Sequence, residues 1–448
     1  MTQSPETLAH ALLDAARKAG AEAADVLVTE GRAVSIDVRA GRLEQAERAE
    51  GIDLGLRVLL GQRQATVSAS DTRPETLAAM AERAVAMARE APEDPYIGLA
   101  DPAQLAQSWD VAALELADPA PEPAAAALEE AAREAEAAAL AVAGVTQVQS
   151  ASAGYSARRL HIAATNGFSG GYGRTTTSLY AVAIAGQGTG MERDHDGDSR
   201  AFAADLRSAQ DIGQSAGDRA VAALGARKPP TGSFPVLYDE RISSSLIGHL
   251  LSAVNGSSIA RGESFLRDAL GRQVLPAALS LIEDPHRPRI SGSRPFDAEG
   301  LATRRRAVVE DGVLTGWTLD LATGRKLGME STANAMRGTG GAPSPGASNV
   351  ALTQGAASRD DLIRDMGTGL LVTSLIGSTI NPNTGDYSRG ASGFWVENGA
   401  VTHAVNECTI AGNLRDMLLG LIPANDARAH LSRVVPSLLV EGMTLAGA

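Results

Sequence analysis

A G-x-S-x-G pattern is the most recognisable chemical motif in the sequence. It occupies residues 167–171 and centres on Ser169. A hydrolase that uses this motif places the serine on a sharp turn between a strand and a helix. The residues on both sides of the motif here are typical of strands, which favours a glycine-rich hairpin.

A glycine-rich stretch at 186–190 and an acidic group directly after it form the next motif. The acidic group contains Asp194, His195, Asp196 and Asp198. A phosphate site needs a helix N-terminus after the glycines, and these carboxylates would instead repel a phosphate. The group could bind a cation, but no turn or helix pattern fixes its ligands, so we expect a solvated acidic loop.

His249 lies in a helix predicted over 240–254. A zinc-peptidase helix of the HExxH or HExxxH kind needs a second histidine one turn away and a glutamate base. Neither is present near His249, so we expect this histidine to have a structural role or to make a polar contact.

The segment 379–399 combines glycines with polar side chains. One interpretation is a system of turns and bulges within a barrel. The other is a groove that binds an extended peptide, with glycines allowing close backbone approach and an arginine available for a carboxylate. The candidate groove residues are Asp386, Tyr387, Ser388, Arg389, Gly390 and Ser392.

Periodic apolar residues predict the elements that position these motifs. Helical spacing predicts helices near 5–18, 72–90, 124–143, 210–224 and 240–254. Alternation of apolar and polar residues at 34–38 and 52–60 predicts half-buried strands. From about residue 279 onward, strands, glycines and turns dominate.

Composition excludes several classes of function. The chain has 448 residues, a formal net charge of −13 and no long run of basic residues, so we expect no nucleic-acid partner. Its single cysteine excludes an intrachain disulfide and a four-cysteine zinc site. Neither a secretory signal nor an apolar stretch of spanning length is present, so we expect no membrane contact and a cytoplasmic location.

Proline-rich and glycine-rich stretches suggest the domain boundaries. The segment 228–233 (KPPTGS) interrupts helix formation and has almost no apolar content. We therefore predict an N-terminal α+β domain at 1–110, a central α+β domain at 111–227, a linker at 228–233 and a β-rich domain at 234–448.

Several longer motifs resemble the TldD/PmbA family, and specifically its PmbA (TldE) branch. They are GQRQA at 61–65, LIGHLLSAVNG at 246–256, RPFD at 294–297, GDYSRGASGFW at 385–395 and TIAGNL at 409–414. The resemblance spans most of the chain and implies a two-lobed α+β fold. In that fold an N-terminal α+β region with mixed sheets precedes a β-rich, barrel-like C-terminal domain.

The resemblance also implies a zinc-dependent peptidase system acting on peptides in the bacterial cytoplasm. In the TldD branch, an HExxxH helix and a late cysteine form the metal site. We align this chain with the TldD-branch helix at the downstream Gly-Glu-Ser of residues 262–264. In this alignment, Ile247 and Ser252 take the places of the two histidines, and Gly248 takes the place of the glutamate. His249 is out of register and Cys408 lies in a different segment. We therefore expect no cofactor in this chain and zinc in a TldD-type partner.

Three functions follow from these observations. The first is a non-catalytic subunit that pairs with a TldD-type metallopeptidase and helps to enclose unfolded or short peptides. The second is a homodimeric peptide-binding or scaffold protein without protease activity. The third is a serine hydrolase that uses Ser169, Ser388 or Ser392. The first is favoured, and heterodimer and homodimer both stay open.

Overall fold

The structure is a computed structural model that describes residues 3–447. Its helices are α1 (Pro5–Lys18), α2 (Pro74–Glu90), α3 (Ala125–Ala141), α4 (Ala209–Ala222), α5 (Glu240–Ala253), α6 (Gly256–Arg261), α7 (Leu321–Leu327), α8 (Arg359–Met366) and α9 (Leu414–Leu419). The five helices predicted from periodicity are α1 to α5, and all five are confirmed with ends within two residues.

The strands fall into an N-terminal and a C-terminal set. The N-terminal set is β1 (Ala23–Arg39), β2 (Arg42–Leu60), β3 (Arg63–Ala69), β4 (Val145–Ala164), β5 (Ser169–Ala185) and β6 (Glu192–Arg200). The C-terminal set is β7 (Gly232–Tyr238), β8 (Leu281–Glu283), β9 (Arg306–Glu310), β10 (Val313–Leu314), β11 (Ala335–Met336), β12 (Ser344–Pro345), β13 (Val350–Leu352), β14 (Gly369–Ile380), β15 (Asp386–Glu397), β16 (Ala400–Asn413), β17 (Ile422–Pro423), β18 (Arg433–Val434) and β19 (Leu438–Ala446).

The N-terminal strands form one six-stranded antiparallel sheet in the order β3-β2-β1-β4-β5-β6. Alternate residues of a strand share a face, and the alternating apolar residues of β1 bury one face under two helix pairs. Val26 and Val28 pack with α1 and α2, whereas Val34 and Ile36 pack with α3 and α4. This face therefore contains two adjoining apolar cores.

The opposite face of this sheet rests on the C-terminal half of the chain. Leu27 of β1 and Ile162 of β4 point to this side and pack in a core that also contains Phe168, Phe296 and Leu301. The rings of Phe168 and Phe296 meet edge to face with centroids 5.0 Å apart. Apolar packing therefore joins the two halves of the molecule.

Buried charges lie close to that junction. Asp25 of β1 accepts a hydrogen bond from Arg57 Nε of β2 at 2.8 Å, and it also contacts Arg337 from the C-terminal half. The side chains of Asp25, Arg57 and Arg337 are 4%, 5% and 0% exposed. A carboxylate shared by two buried guanidinium groups therefore links the sheet to the C-terminal half.

The C-terminal half is built around a closed five-stranded barrel. Its strands follow the order β16-β15-β14-β7-β19, and β19 also pairs with β16, which closes the ring. The β7–β14 pair is parallel, so mixed pairing occurs in the C-terminal half and not in the N-terminal sheet. A five-stranded sheet in the order β10-β9-β8-β13-β18 and the β11–β12 pair lie outside the ring.

Helix α5 packs against the barrel and positions the candidate site. The Asp239 side chain begins the helix by accepting a hydrogen bond from the Arg241 backbone N–H at 3.1 Å. Leu246, Ile247 and Leu250 are buried and join the barrel core. Their helical spacing fixes which face of α5 remains available for polar groups.

The predicted α+β fold with a barrel-like C-terminal part is confirmed. The predicted domains 1–110 and 111–227 contribute strands to the same sheet, since β1 pairs with β4. Residues 228–231 lie outside helices and strands, directly before β7. The three predicted boundaries, at 110/111, 227/228 and 233/234, stay predictions.

Candidate functional site

A cleft of about 850 Å³ lies between the N-terminal sheet and the barrel. Strand β6 contributes one wall, and α5, β14, β15 and β16 contribute the other. Of the predicted groove residues, Arg389 and Ser392 line this cleft. The structure thus brings part of the candidate segment to a concave surface between two halves of the molecule.

The outer part of β14 borders the cleft and has an open edge. β14 pairs with β7 only through residues 370–372, while its pairing with β15 continues to Ile380. Within residues 3–447, the other edge of residues 374–380 has no strand partner. Ile376, on this edge, is 73% exposed. Such an edge can accept an extended peptide through backbone hydrogen bonds.

Charged side chains in the cleft are unevenly paired. Those lining it, other than histidine, are Glu192, Asp194, Arg193, Arg241, Arg389 and Arg433. Asp194 is bound by Arg241 at 3.2 Å, and Glu192 accepts a hydrogen bond from Asn406 at 3.0 Å. The carboxylates are therefore already engaged, and arginines outnumber them.

Arg389 differs from the other charged groups in the cleft. It lies on the same face of β15 as Tyr387 and Ala391, which belong to the barrel core. Its Nε is buried and has no hydrogen-bond partner, and within residues 3–447 its guanidinium forms no ion pair. A buried N–H donor without a partner is costly, so this Nε needs an anion or ordered water as its acceptor.

Two polar groups on α5 are unsatisfied as well. Ser245 Oγ and His249 Nε2 are buried without a hydrogen-bond partner. Burial, reinforced by the charge of Arg389, lowers the pKa of His249 below its ordinary value, so the imidazole is neutral. The ring also packs edge to face on Tyr387, with centroids 5.9 Å apart.

The other predicted groove residues lie outside the cleft. Tyr387 is 2% exposed, and its hydroxyl accepts a hydrogen bond from the Tyr238 hydroxyl at 3.3 Å inside the barrel. Asp386 is exposed at the start of β15. Ser388 and Gly390 follow on the same strand without lining the cleft. The groove as a whole stays a prediction, with Arg389 and Ser392 placed where it requires them.

The positions that the family resemblance assigns to zinc ligands do not fit a zinc ion. Ile247 is buried in the core, Gly248 has no side chain, and exposed Ser252 donates a hydrogen bond to the Gly248 carbonyl at 2.9 Å. None offers an imidazole, carboxylate or thiolate. Cys408 Sγ donates to the Ala391 carbonyl at 3.2 Å, and burial raises the pKa of its thiol to about 11, which keeps it protonated.

The G-x-S-x-G motif forms the turn of the β4–β5 hairpin, and the hairpin interpretation is confirmed. Ser169 Oγ lies 2.9 Å from His161 Nε2 and 3.1 Å from His10 Nε2. Strand β5, rather than a helix, follows the serine, so the geometry of a hydrolase turn is missing. His10 and His161 also form, with Glu6, a group of potential metal ligands that lies outside the cleft.

The prediction of an acidic loop around residue 196 is wrong. These residues form β6, the edge strand of the N-terminal sheet. Asp196 and Asp198 are buried there and form ion pairs with Arg219 at 3.0 Å and Arg200 at 2.8 Å. Arginines supplied by the strand and by helix α4 compensate the carboxylates, and local charge density did not reveal this pairing.

Sequence reasoning missed several residues that line the cleft together with Arg389. Ser245 comes from α5, Asn406 from β16 and Arg433 from β18. Arg433 Nη1 lies 3.1 Å from the point that a Cβ on Gly248 would occupy. No spacing pattern links these positions, so the sequence contained no signal for their convergence.

No helix within residues 3–447 is long and apolar enough to span a membrane.

Models of PmbA/TldA metallopeptidases match the chain in three successive segments. The domain 1 model matches residues 24–88, the central domain model 117–224 and the C-terminal domain model 231–447.

Known proteins are similar along nearly the whole chain. Metalloprotease PmbA of Escherichia coli O157:H7 is 35% identical over 427 residues, which are 95% of this chain and 92% of that protein. A proposed modulator of a DNA gyrase from Bacteroides thetaiotaomicron has a crystal structure that is 29% identical and matches with a TM-score of 0.91 over 100% of both chains. TldE from Thermococcus kodakarensis, at 21% identity, has the same fold with a TM-score of 0.85, over 98% of this chain and 100% of that one.

Proposed function

This chain belongs to the PmbA/TldD metallopeptidase family, and on that basis we propose that it is the non-catalytic subunit of a TldD-type zinc metallopeptidase. Its partner holds the zinc and the catalytic glutamate, and the two chains together enclose an unfolded or short peptide in the cytoplasm. This chain contributes peptide-binding surface and completes the enclosure.

The composition of α5 is the observation that carries this proposal. The helix packs on the barrel as a complete structural element. However, Ile247, Gly248 and Ser252, which stand where the family resemblance places the HExxxH residues, cannot bind a metal ion. A family scaffold that keeps its fold and lacks its metal ligands is expected to act through a second subunit.

The cleft supports the peptide-binding part of the proposal. Its volume of about 850 Å³ is large enough for several residues of an extended peptide. The open edge of β14 offers backbone hydrogen bonds that do not depend on peptide sequence. A surface of this kind suits a subunit that handles diverse unfolded peptides.

Reconstitution tests the proposal directly. The chain is purified alone and together with an HExxxH-bearing chain of the same organism, and each sample is assayed for complex formation by sedimentation and for cleavage of an unstructured peptide. We expect a stable heterodimer, cleavage at least 100-fold faster in the complex than with this chain alone, and zinc in the partner.

A matched variant separates the roles of the two chains. Glu→Gln in the partner's HExxxH motif should abolish cleavage while the complex still forms. A chain that forms only homodimers would favour the scaffold alternative. Peptide cleavage by this chain alone, lost in Ser169→Ala, would instead favour a serine hydrolase.

A further inference from the structure

The region where the resemblance places a metal site carries positive charge in this chain. Arg433 Nη1 lies 3.1 Å from the position that a Cβ on Gly248 would occupy, so the absence of a side chain there makes room for a guanidinium group. Arg389 approaches α5 closely enough to lower the pKa of His249. Such a site repels metal cations and attracts anions.

Unsatisfied donors mark this region as incomplete. Arg389 Nε, Ser245 Oγ and His249 Nε2 are buried, and none has a hydrogen-bond partner. Arg433 is exposed and forms no ion pair within residues 3–447, so its guanidinium group is available to a ligand. The nearby carboxylate of Asp194 cannot compensate them, because Arg241 already binds it at 3.2 Å.

We propose that Arg389, Arg433 and Ser245 form a binding site for a carboxylate of the peptide. This inference rests on the proposed peptide-handling function. A carboxylate accepts two hydrogen bonds from one guanidinium and has further lone pairs for a second arginine and a hydroxyl. It would satisfy the buried donors and fix the peptide in the cleft beside the open edge of β14.

The carboxylate can belong to the peptide's C-terminus or to an acidic side chain. The two sources share one chemistry, and matched peptides distinguish them. One unstructured peptide without Asp or Glu is made with a free C-terminus, a second with a C-terminal amide, and a third with the amide and one internal Glu. Their binding to the full chain is measured by isothermal titration calorimetry.

We expect the best carboxylate peptide to bind about 10- to 100-fold more tightly than the peptide without a carboxylate, which is the gain from about one net charge-assisted hydrogen bond. Arg389→Met should remove this preference, so that the three peptides bind with similar affinity. Arg261→Gln, which changes an exposed arginine paired with Glu263 at 2.6 Å, is the control and should keep the preference.

Thermal unfolding shows whether Arg389 has only a structural role. Removing an arginine that forms no ion pair within residues 3–447 and whose Nε is buried without a partner should leave the melting temperature of Arg389→Met unchanged or raise it. A preference for carboxylates that persists in Arg389→Met would overturn the proposal, as would equal affinity of the wild-type chain for all three peptides. These measurements use the chain alone, so failure to form a heterodimer would leave them interpretable.

Discussion

The charge cluster between the two halves of the molecule gives the sharpest prediction about stability. Asp25 is the shared acceptor of two buried guanidinium groups, from Arg57 and Arg337. Asp25→Asn removes the negative charge and leaves both cations inside the protein. Arg337 already has two nitrogens without a partner, so it has no alternative acceptor nearby. Breaking a buried ion pair in this way costs about 3–5 kcal/mol in free energy of unfolding.

Urea unfolding followed by far-UV circular dichroism measures this loss. The control is Asp14→Asn, since Asp14 is 63% exposed and pairs with Arg17 on the surface of α1. Its expected cost is below about 1 kcal/mol. In an Arg337→Met background, Asp25→Asn should cost less, because only one buried guanidinium then loses its partner. An Asp25→Asn loss no larger than the control's would refute the reasoning.

The pH dependence of this cluster follows from the same contacts. Burial alone would raise the pKa of Asp25, but Arg57 and Arg337 outweigh it and lower the pKa below the ordinary value of 3.8. A carboxyl whose folded pKa is lowered stabilises the protein above its unfolded pKa and loses that contribution as pH falls through its folded pKa. The contribution of Asp25 should therefore be complete at neutral pH and disappear only in strong acid.

Two further predictions concern the barrel and a second pair of buried carboxyls. A Cβ on Gly393 would lie 1.9 Å from the Leu371 carbonyl oxygen, so Gly393→Ala should lower the melting temperature. The control is Gly390→Ala, because a Cβ there would meet no atom closer than 3.4 Å. This control should melt close to the wild-type temperature. Burial raises the pKa of Asp297 to about 6 and that of Glu299 well above its ordinary value. Both carboxyls hold a proton more tightly in the folded chain than in the unfolded one, so the free energy of unfolding should fall as pH rises above their ordinary pKa values of 3.8 and 4.5. The contribution of Asp297 should be lost by about pH 6, and Glu299→Gln should reduce the total fall in urea titrations, which gives a smaller rise from pH 7 to pH 5 than in the wild type. An equal rise in the variant would argue against this source of pH dependence.

The sequence by itself determined the local elements and the general architecture. The helix at 5–18 has a serine cap, a proline in its first turn and basic residues in its last turn, and the structure has all three features. Alternation at 52–60 predicted a half-buried strand; the strand is the inner part of β2, but the half-burial is wrong, because residues 54–59 are buried on both faces. Motif resemblance gave the family and the barrel-like C-terminal part. These signals lie within short segments, so consecutive residues suffice to reveal them.

Only the tertiary structure decided which polar residues meet. Residues 194–198 have the composition of a solvated loop, but in the structure Arg219 from α4 pairs with Asp196 and Arg200 from the same strand pairs with Asp198. Ser245, Arg389 and Arg433 lie far apart in sequence and come together because β19 pairs with both β7 and β16, which closes the barrel beside α5. Pairing across such distances depends on the packing of the whole core. The sequence could therefore nominate Arg389 as a binding residue, while the position of Arg433 over Gly248 followed only from the closed barrel.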